Sequence, residues 1–305
     1  MEVAERPATS DTGAVGLRSR LESRARFGSY WIVLPGLAWL LIFYIIPTLI
    51  MVRFSLLSSM PNRGLPVTYT FQHYVDAVSS SVYPKVFLKS AQFATMTTVA
   101  LLLICFPVAY FLAKKTQHQK VLLILIMIPF WTSQVLRAFA WIILLSRTGM
   151  VNELLQSFNL TSEPIQLIYN WRAVTAALIY SYIPYMILPL YATLGKISDD
   201  LLEASADLGA NKIQTLFTVT IPLALPGIVT GVALVLVASL TDVLAPTLLG
   251  GPYNTMISTV IFNIFTLGMN WNLGSAISVL VFAVLIVAAA LTVAINRRVQ
   301  YESET

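Results

Sequence analysis

Six long apolar runs, separated by short polar stretches, dominate the chain. They are Trp31–Val52, Ser90–Ala113, Val121–Leu145, Ala173–Gly195, Ile221–Thr241 and about Leu273–Asn296. Only the third contains Asp, Glu, Lys or Arg, at Arg137. A hydrocarbon core about 30 Å thick needs roughly 20 apolar residues to cross as a helix. Lipid offers the backbone no hydrogen-bond partner, so each run must form its bonds internally, as a helix. The pattern predicts an all-α, polytopic bundle of about six transmembrane helices. It divides into a tail over 1–29, a membrane domain over 30–296 with a polar loop at 196–222, and a short tail over 297–305.

Composition agrees. Hydrophobic residues make up 57% of the chain and charged residues 11%, with a mean hydropathy of +0.77. That excludes an ordinary soluble domain. Orientation follows from Lys and Arg placement. One side collects Arg6, Arg18, Arg20, Arg24 and Arg26, then Lys114, Lys115 and Lys120, then Lys196 and Lys212, and finally Arg297 and Arg298. The other side has Arg63, Lys85, Lys89, Arg147 and Arg172, spread over longer loops. The bias puts both termini and the 196–222 loop in the cytoplasm. The net charge of +5 is explained by these helix ends and anionic lipid, without nucleic acid.

Outside the spans, alternating Arg and apolar residues from Leu17 to Phe27 suit a helix lying on the membrane surface. The first apolar run is too long for a cleavable signal peptide and lacks a small-x-small site after it. Pro61, Asn62, Gly64 and Pro66 break the loop Ser55–Lys89. The loop Arg147–Arg172 accommodates a short helix near Val151–Phe158. No Asp, Glu, Lys, Arg or His occurs between Asp242 and Arg297. Within that stretch Thr247–Tyr253 reads as a turn, and Met256 to Leu267 as an amphipathic run. Such a charge-free segment either folds back at membrane depth or faces a partner.

Catalytic chemistry is missing. There is no Gly-x-x-x-x-Gly-Lys-Ser/Thr loop for ATP, no His-Glu-x-x-His and no Gly-x-Ser-x-Gly. His73 and His118 stand alone in loops, and the single Cys105 lies in an apolar run. No cofactor or metal site, and no enzyme, is expected. Within the spans the charged residues are Arg137 and Asp242. An ionisable group there should face the bundle interior, water or a partner charge. Asp242 either pairs structurally, with Arg137 or at the interface, or lines a substrate path. A secondary transporter would need more carboxylates than Asp242 at that depth. Gly227 and Gly231 form a Gly-x-x-x-Gly packing motif, and Ala238 and Asp242 extend their face.

The polar loop has internal logic. Asp199 and Asp200 can cap a helix, with Glu203 placed for a capping box. Leu201, Leu202, Ser205 and Leu208 share an apolar face at helical spacing. Gly209 suits the left-handed position that ends a helix. By pattern alone, an interfacial hairpin and a partner-docking helix are equally compatible with this loop.

The residues Glu203-Ala204-Ser205, three more, Gly209, nine more, then Val219-Thr220-Ile221-Pro222 resemble the cytoplasmic EAA loop of permease subunits of binding-protein-dependent type I ABC importers. The family pattern is Glu-Ala-Ala, three residues, Gly, nine residues, aliphatic, any, aliphatic, Pro; here Ser replaces the second Ala. Pro129-Phe130-Trp131-Thr132-Ser133, Arg137-Ala138-Phe139-Ala140-Trp141, Gly149-Met150-Val151-Asn152 and Asp242–Pro252 are similar to spermidine/putrescine permeases of the first-subunit type. The resemblance spans roughly residues 30–296. It implies that Glu203, Ala204, Ser205, Asp207, Leu208 and Gly209 dock on an ATPase dimer, which itself holds ATP and Mg. It also implies a second permease subunit and an extracytoplasmic solute-binding protein. Related permeases carry other organic cations, opines, phosphonates, thiamine or iron. For a cation, acceptor and π surfaces are expected in the path from Asp242, Trp131, Tyr180, Tyr182, Tyr185 and Trp271.

Overall fold

The computed structural model describes residues 34–59 and 67–304, with side chains to residue 294. The 1–29 tail with its expected surface helix Leu17–Phe27, and the segment Pro61 to Pro66, lie outside the described residues. Met1–Phe54 and Ser55–Thr305 form two compact units. In the first, α1 (Leu34–Ser55) is apolar up to Arg53 in its last turn, and none of its residues from Leu34 to Phe54 is buried. Trp39 stacks on Phe43 at 4.2 Å, just where a π-helical turn, Leu41–Ile45, loosens the helix.

The second unit is helical, apart from an isolated antiparallel bridge between Leu57 and Tyr69. Its helices are α2 (Gln72–Ser79), α3 (Tyr83–Lys114), α4 (Gln119–Met127), α5 (Gln134–Leu145), α6 (Met150–Ser157) and α7 (Trp171–Leu194). Then come α8 (Asp199–Asp207), α9 (Lys212–Leu240), α10 (Leu244–Leu249), α11 (Ile257–Thr266) and α12 (Trp271–Glu304). The described residues hold six helical stretches long and apolar enough to cross a membrane, as the apolar runs predict. The core is built on α7, which packs between α3 and α9 and buries Val174, Leu178, Met186, Leu190 and Leu194.

The small-residue face of α9 meets α7. A methyl group on Gly227 would lie 2.5 Å from Thr193 Oγ1 and 2.7 Å from the Pro189 carbonyl. One on Gly231 would lie 2.8 Å from Met186 Sδ. Backbone contact this close is what glycine permits in a membrane bundle. Gly227→Val should therefore push α7 and α9 apart, at the ~1–3 kcal/mol typical of overpacking or more. A lowered thermal transition of the detergent-solubilised protein checks this.

The third apolar run departs from expectation. Val121–Leu145 is not one helix: a 3-10 turn, Ile128–Trp131, and extended residues Thr132 and Ser133 separate α4 from α5. Pro129 has no N–H to donate, so the helical ladder loses a bond there, while Ile128 before it stays helical at φ -49°, ψ -47°. Ser133 then caps α5 by accepting from Val135 N–H at 3.3 Å. The Gln134–Ser157 stretch counts α5 and α6 together, but α5 alone is about 18 Å long, too short for the ~30 Å core. The crossing is therefore α4 and α5 in series, broken midway.

The loop after α5 is pinned by Asn152. Its amide donates to the Ser146 and Ile165 carbonyls at 2.9 and 3.0 Å and accepts from Ile165 N–H at 3.0 Å, with the residue 1% exposed. Gly149 passes too close to the Ile143 and Leu144 carbonyls for any side chain. Asn152→Ala should cost about 1–3 kcal/mol, the penalty for leaving buried polar groups unpaired. Faster proteolysis of this loop in the detergent-solubilised protein is the readout.

The charge-free stretch after Asp242 folds back into the bundle. Residues 244–249, expected in part as turn, form α10, which packs on α5 and α7 and buries Ala245, Pro246 and Leu249. The turn proper comes at Gly250–Asn254, with Gly251 at φ +65°.

Candidate functional site: the polar loop and the mid-depth cluster

The loop between α7 and α9 is a helix–turn–helix with two different devices at its ends. Ser198 precedes α8 without a side-chain cap, so the capping box expected from Asp199 or Asp200 with Glu203 is not formed. Asp199 instead bonds Lys114 Nζ at 2.8 Å, while the same ammonium donates to the Ile197 carbonyl. Lys114 holds the Asp199 carboxyl below the usual carboxylate range. A lowered carboxyl pKa means the bond is complete at neutral pH and is lost only as pH falls through that depressed value.

A Schellman motif ends α8. Gly209 N–H donates to the Ala206 carbonyl at 2.9 Å and Ala210 N–H to the Ser205 carbonyl at 3.1 Å, with Gly209 at φ +86°. Asn211 opens α9 with a full capping box. Its Oδ1 accepts from Ile213 and Gln214 N–H, and Gln214 Oε1 accepts from Asn211 N–H at 2.8 Å. That signature, Asn followed three residues on by Gln, was readable in the sequence as the start of α9.

The apolar face of α8 is narrower than the spacing predicts. Leu202 and Ser205 turn inward, and Ser205 Oγ lies 2.9 Å from Thr215 Oγ1, joining the two arms of the loop. Leu208 is 90% exposed because the chain reverses at Gly209, beyond the last turn of α8. Of the six expected docking residues, Glu203, Ala204, Asp207, Leu208 and Gly209 are exposed and Ser205 is buried. Ile213 and Phe217 in the second arm of the loop are exposed as well.

A second polar cluster lies deep in the bundle. Tyr182 is about 16 Å along α7 from Trp171 at 1.5 Å per residue, halfway along this membrane-crossing helix. Its hydroxyl donates to Asp242 Oδ2 at 2.7 Å, and Gln134 Nε2 donates to the same oxygen at 2.8 Å. Asp242 Oδ1 accepts from Ala245 N–H at 2.9 Å, at the start of α10, and Ser258 Oγ donates to the Asp242 carbonyl. Asp242 is 4% exposed, past the end of α9, and its side chain ties α5, α7 and α10 together. A buried carboxylate needs such donors, because desolvation without them is prohibitive.

Arg137 does not ion-pair with Asp242. Its guanidinium donates to the Phe130 and Thr132 carbonyls at 3.2 Å each and lies 5.4 Å from the Phe130 ring. It satisfies the carbonyls that the break in the third span would otherwise leave bare. Among the other candidates for the path, Tyr185 stands edge-on to Tyr182 at 5.6 Å and joins the cluster. Tyr180 falls on another face of α7, packed against Phe130 and Trp141. Trp131 is 85% exposed, and Trp271 packs on Phe265 at 5.6 Å, at the start of α12. The structure thus brings Asp242, Tyr182 and Tyr185 together and leaves Tyr180, Trp131 and Trp271 apart from them. Gln134 and Ser258 were not foreseen. An amide at the first position of the helix after the break is the signal that could have found Gln134.

Among the described residues no group of His, Cys, Asp and Glu is arranged to hold a metal ion.

Comparisons with known proteins agree with this architecture. Over 270 residues the chain is 33% identical to the spermidine/putrescine transport system permease protein PotB of Haemophilus influenzae, covering 87% of this chain and 94% of that protein. It is 34% identical over 242 residues to PotB of Escherichia coli, covering 79% and 88% respectively. The fold is similar to that of a chain in a crystal structure of a bacterial ABC transporter importing the acidic polysaccharide alginate. The TM-score is 0.71 at 19% identity, with 92% of this chain and 99% of that chain covered. Residues 105–301 match the family described as binding-protein-dependent transport system inner membrane component, and the chain belongs to that family.

Proposed function

We propose that this chain is one of two permease subunits of a type I ABC importer that carries a polyamine such as spermidine or putrescine. The observation that carries the substrate is the identity to PotB proteins over most of both lengths. The likeness to the alginate importer bears on fold alone. In this reading an extracytoplasmic binding protein delivers the solute, and a separate ATPase dimer, holding ATP and Mg, drives the cycle. Both termini and Asn211 face the cytoplasm, in keeping with the Lys and Arg bias.

The two polar sites divide the work. The exposed side of α8, with Glu203, Ala204, Asp207 and Leu208, is the surface offered to the ATPase. The Ser205–Thr215 bond and the capping box tie the loop to α9, which continues through a π-helical turn, Leu216–Thr220, into the span that ends beside Asp242. Displacement of the loop is thereby transmitted to the mid-depth cluster, where Asp242, Tyr182 and Tyr185 offer acceptor and π surface to a passing cation. An aromatic face contributes on the order of 0.5–2 kcal/mol to a cation, enough for transit without trapping.

The test is reconstitution of the complex in proteoliposomes with its binding protein. Spermidine or putrescine should stimulate ATP hydrolysis and accumulate inside. Stimulation by alginate oligosaccharides or by an opine, and none by polyamines, would overturn the substrate. A reporter fused at Asn211 that maps to the outside would overturn the orientation and with it the coupling role of the loop.

A further inference from the structure

A groove opens where α3 ends, α8 crosses and α9 begins. Its cavity measures about 430 Å³, with walls formed by Phe106, Tyr110, Leu202 and Leu216 and with Lys115 and Lys212 at its mouth. Both lysines are exposed, and among the described residues neither has an acidic partner within ion-pair distance. The neighbouring Lys114 is spent on Asp199 and the Ile197 carbonyl; Lys115 adds only a weak field at Asp199. Two of its walls are ends of membrane-crossing helices and the third is α8, a position that corresponds to the headgroup region at that end of the bundle.

From this we infer that the groove is a binding site for one anionic phospholipid. The phosphate sits between Lys115 and Lys212, and an acyl chain lies along Phe106, Tyr110 and Leu216. Charge complementarity selects the headgroup, because two uncompensated ammonium groups flank the mouth. The apolar walls select a lipid over a free anion, which would gain nothing from Phe106 or Leu216. Lys115 closes α3 and Lys212 opens α9, so a shared phosphate bridges the two helix ends across which α8 is slung. The lipid therefore braces the loop from behind while leaving Leu208 and Glu203 free. Its effect on coupling rests on the docking role proposed above, whereas its binding does not.

The experiment uses the assembled transporter in nanodiscs of phosphatidylcholine with graded phosphatidylglycerol, read by native mass spectrometry. Because both leaflets have the same composition and the readout is bound lipid, the result is independent of transport and orientation. The wild type should retain one phosphatidylglycerol in preference to phosphatidylcholine. Lys115→Gln with Lys212→Gln should weaken that preference about thirtyfold, at roughly fivefold for each lysine. Ala206→Trp, which fills the groove and keeps both lysines, should abolish it as well. Lys85→Gln with Arg172→Gln, at the opposite end, should leave it intact. Retention of phosphatidylglycerol by the double lysine variant, or an equal loss in the control pair, overturns the site. Displacement of the lipid by inorganic phosphate alone would make the occupant a free anion and also overturn it.

Discussion

Gly209→Val and Glu203→Lys are expected to abolish uptake while the protein still inserts in the membrane. Gly209 has φ +86° and open space where a Cβ would sit, so the penalty is conformational and not steric. A β-branched residue in the left-handed region costs about 1–2 kcal/mol. The Schellman bonds from Gly209 and Ala210 would yield, and Leu208 and the capping box at Asn211 would be re-aimed. Gly209→Asn, which tolerates that region, should retain most of the activity, and this separates backbone strain from loss of a small contact. Glu203 is exposed and its side chain makes no hydrogen bond among the described residues, so its charge reversal leaves the loop intact and changes only the surface presented. Uptake measured beside pull-down of the ATPase decides the matter. Normal values for both in each variant would reduce the loop to an interfacial hairpin.

The second large effect is expected at Asp242. Asp242→Ala leaves the Tyr182 hydroxyl, the Gln134 amide and the Ala245 N–H without their acceptor. Hydrogen bonds to a charged group are worth about 1.5–3 kcal/mol each, so both thermal stability and uptake should fall steeply. Asp242→Asn keeps one acceptor oxygen but turns a donor toward either Ala245 N–H or the Tyr182–Gln134 pair. It should lower uptake substantially with a smaller change in stability. Tyr182→Phe separates a structural latch from a cation site. If the carboxylate receives the substrate, removing the Tyr182 donor leaves Oδ2 with Gln134 alone and opens one acceptor position on it, and the apparent KM for the polyamine should fall. If Asp242 only ties α5, α7 and α10 together, Tyr182→Phe lowers stability and leaves KM unchanged.

The number of spans, their all-helical character and the break at Gly209 were legible in the sequence, because each depends on local chemistry. Twenty uncharged residues have no alternative to a helix in lipid, and a glycine placed after α8 ends it wherever the helix goes. Length and hydropathy could not reveal the division of the third span. Its apolar run is continuous, and only Pro129 and the Ser133 cap on α5 mark the two helices.

Helical spacing also assigned Leu208 to the same face as Leu202 and Ser205. Leu208 keeps the helical bond to the Ala204 carbonyl, but the chain reverses directly after it at Gly209 and leaves it exposed at the end of α8. The capping box likewise belongs to Asn211: Ser198 holds the N-cap of α8, Asp199 and Asp200 lie inside the helix, and Asp199 pairs with Lys114, 85 residues away in sequence. Which partner a polar side chain takes is a contest between near and distant groups, and the pattern along the chain contains only the near ones.

The sequence by itself determined the membrane class, the crossings, the polar loop with its left-handed glycine and the small-residue face of α9. All follow from periodicity, transfer free energy and backbone sterics, which act within a few residues. The tertiary structure alone decided that Asp242 meets Tyr182 and Gln134 and not Arg137, that Ser205 joins Thr215, and that α10 returns into the bundle. These contacts pair groups up to 108 positions apart, and their choice depends on how α5, α7 and α9 pack, a cooperative outcome that no local pattern specifies.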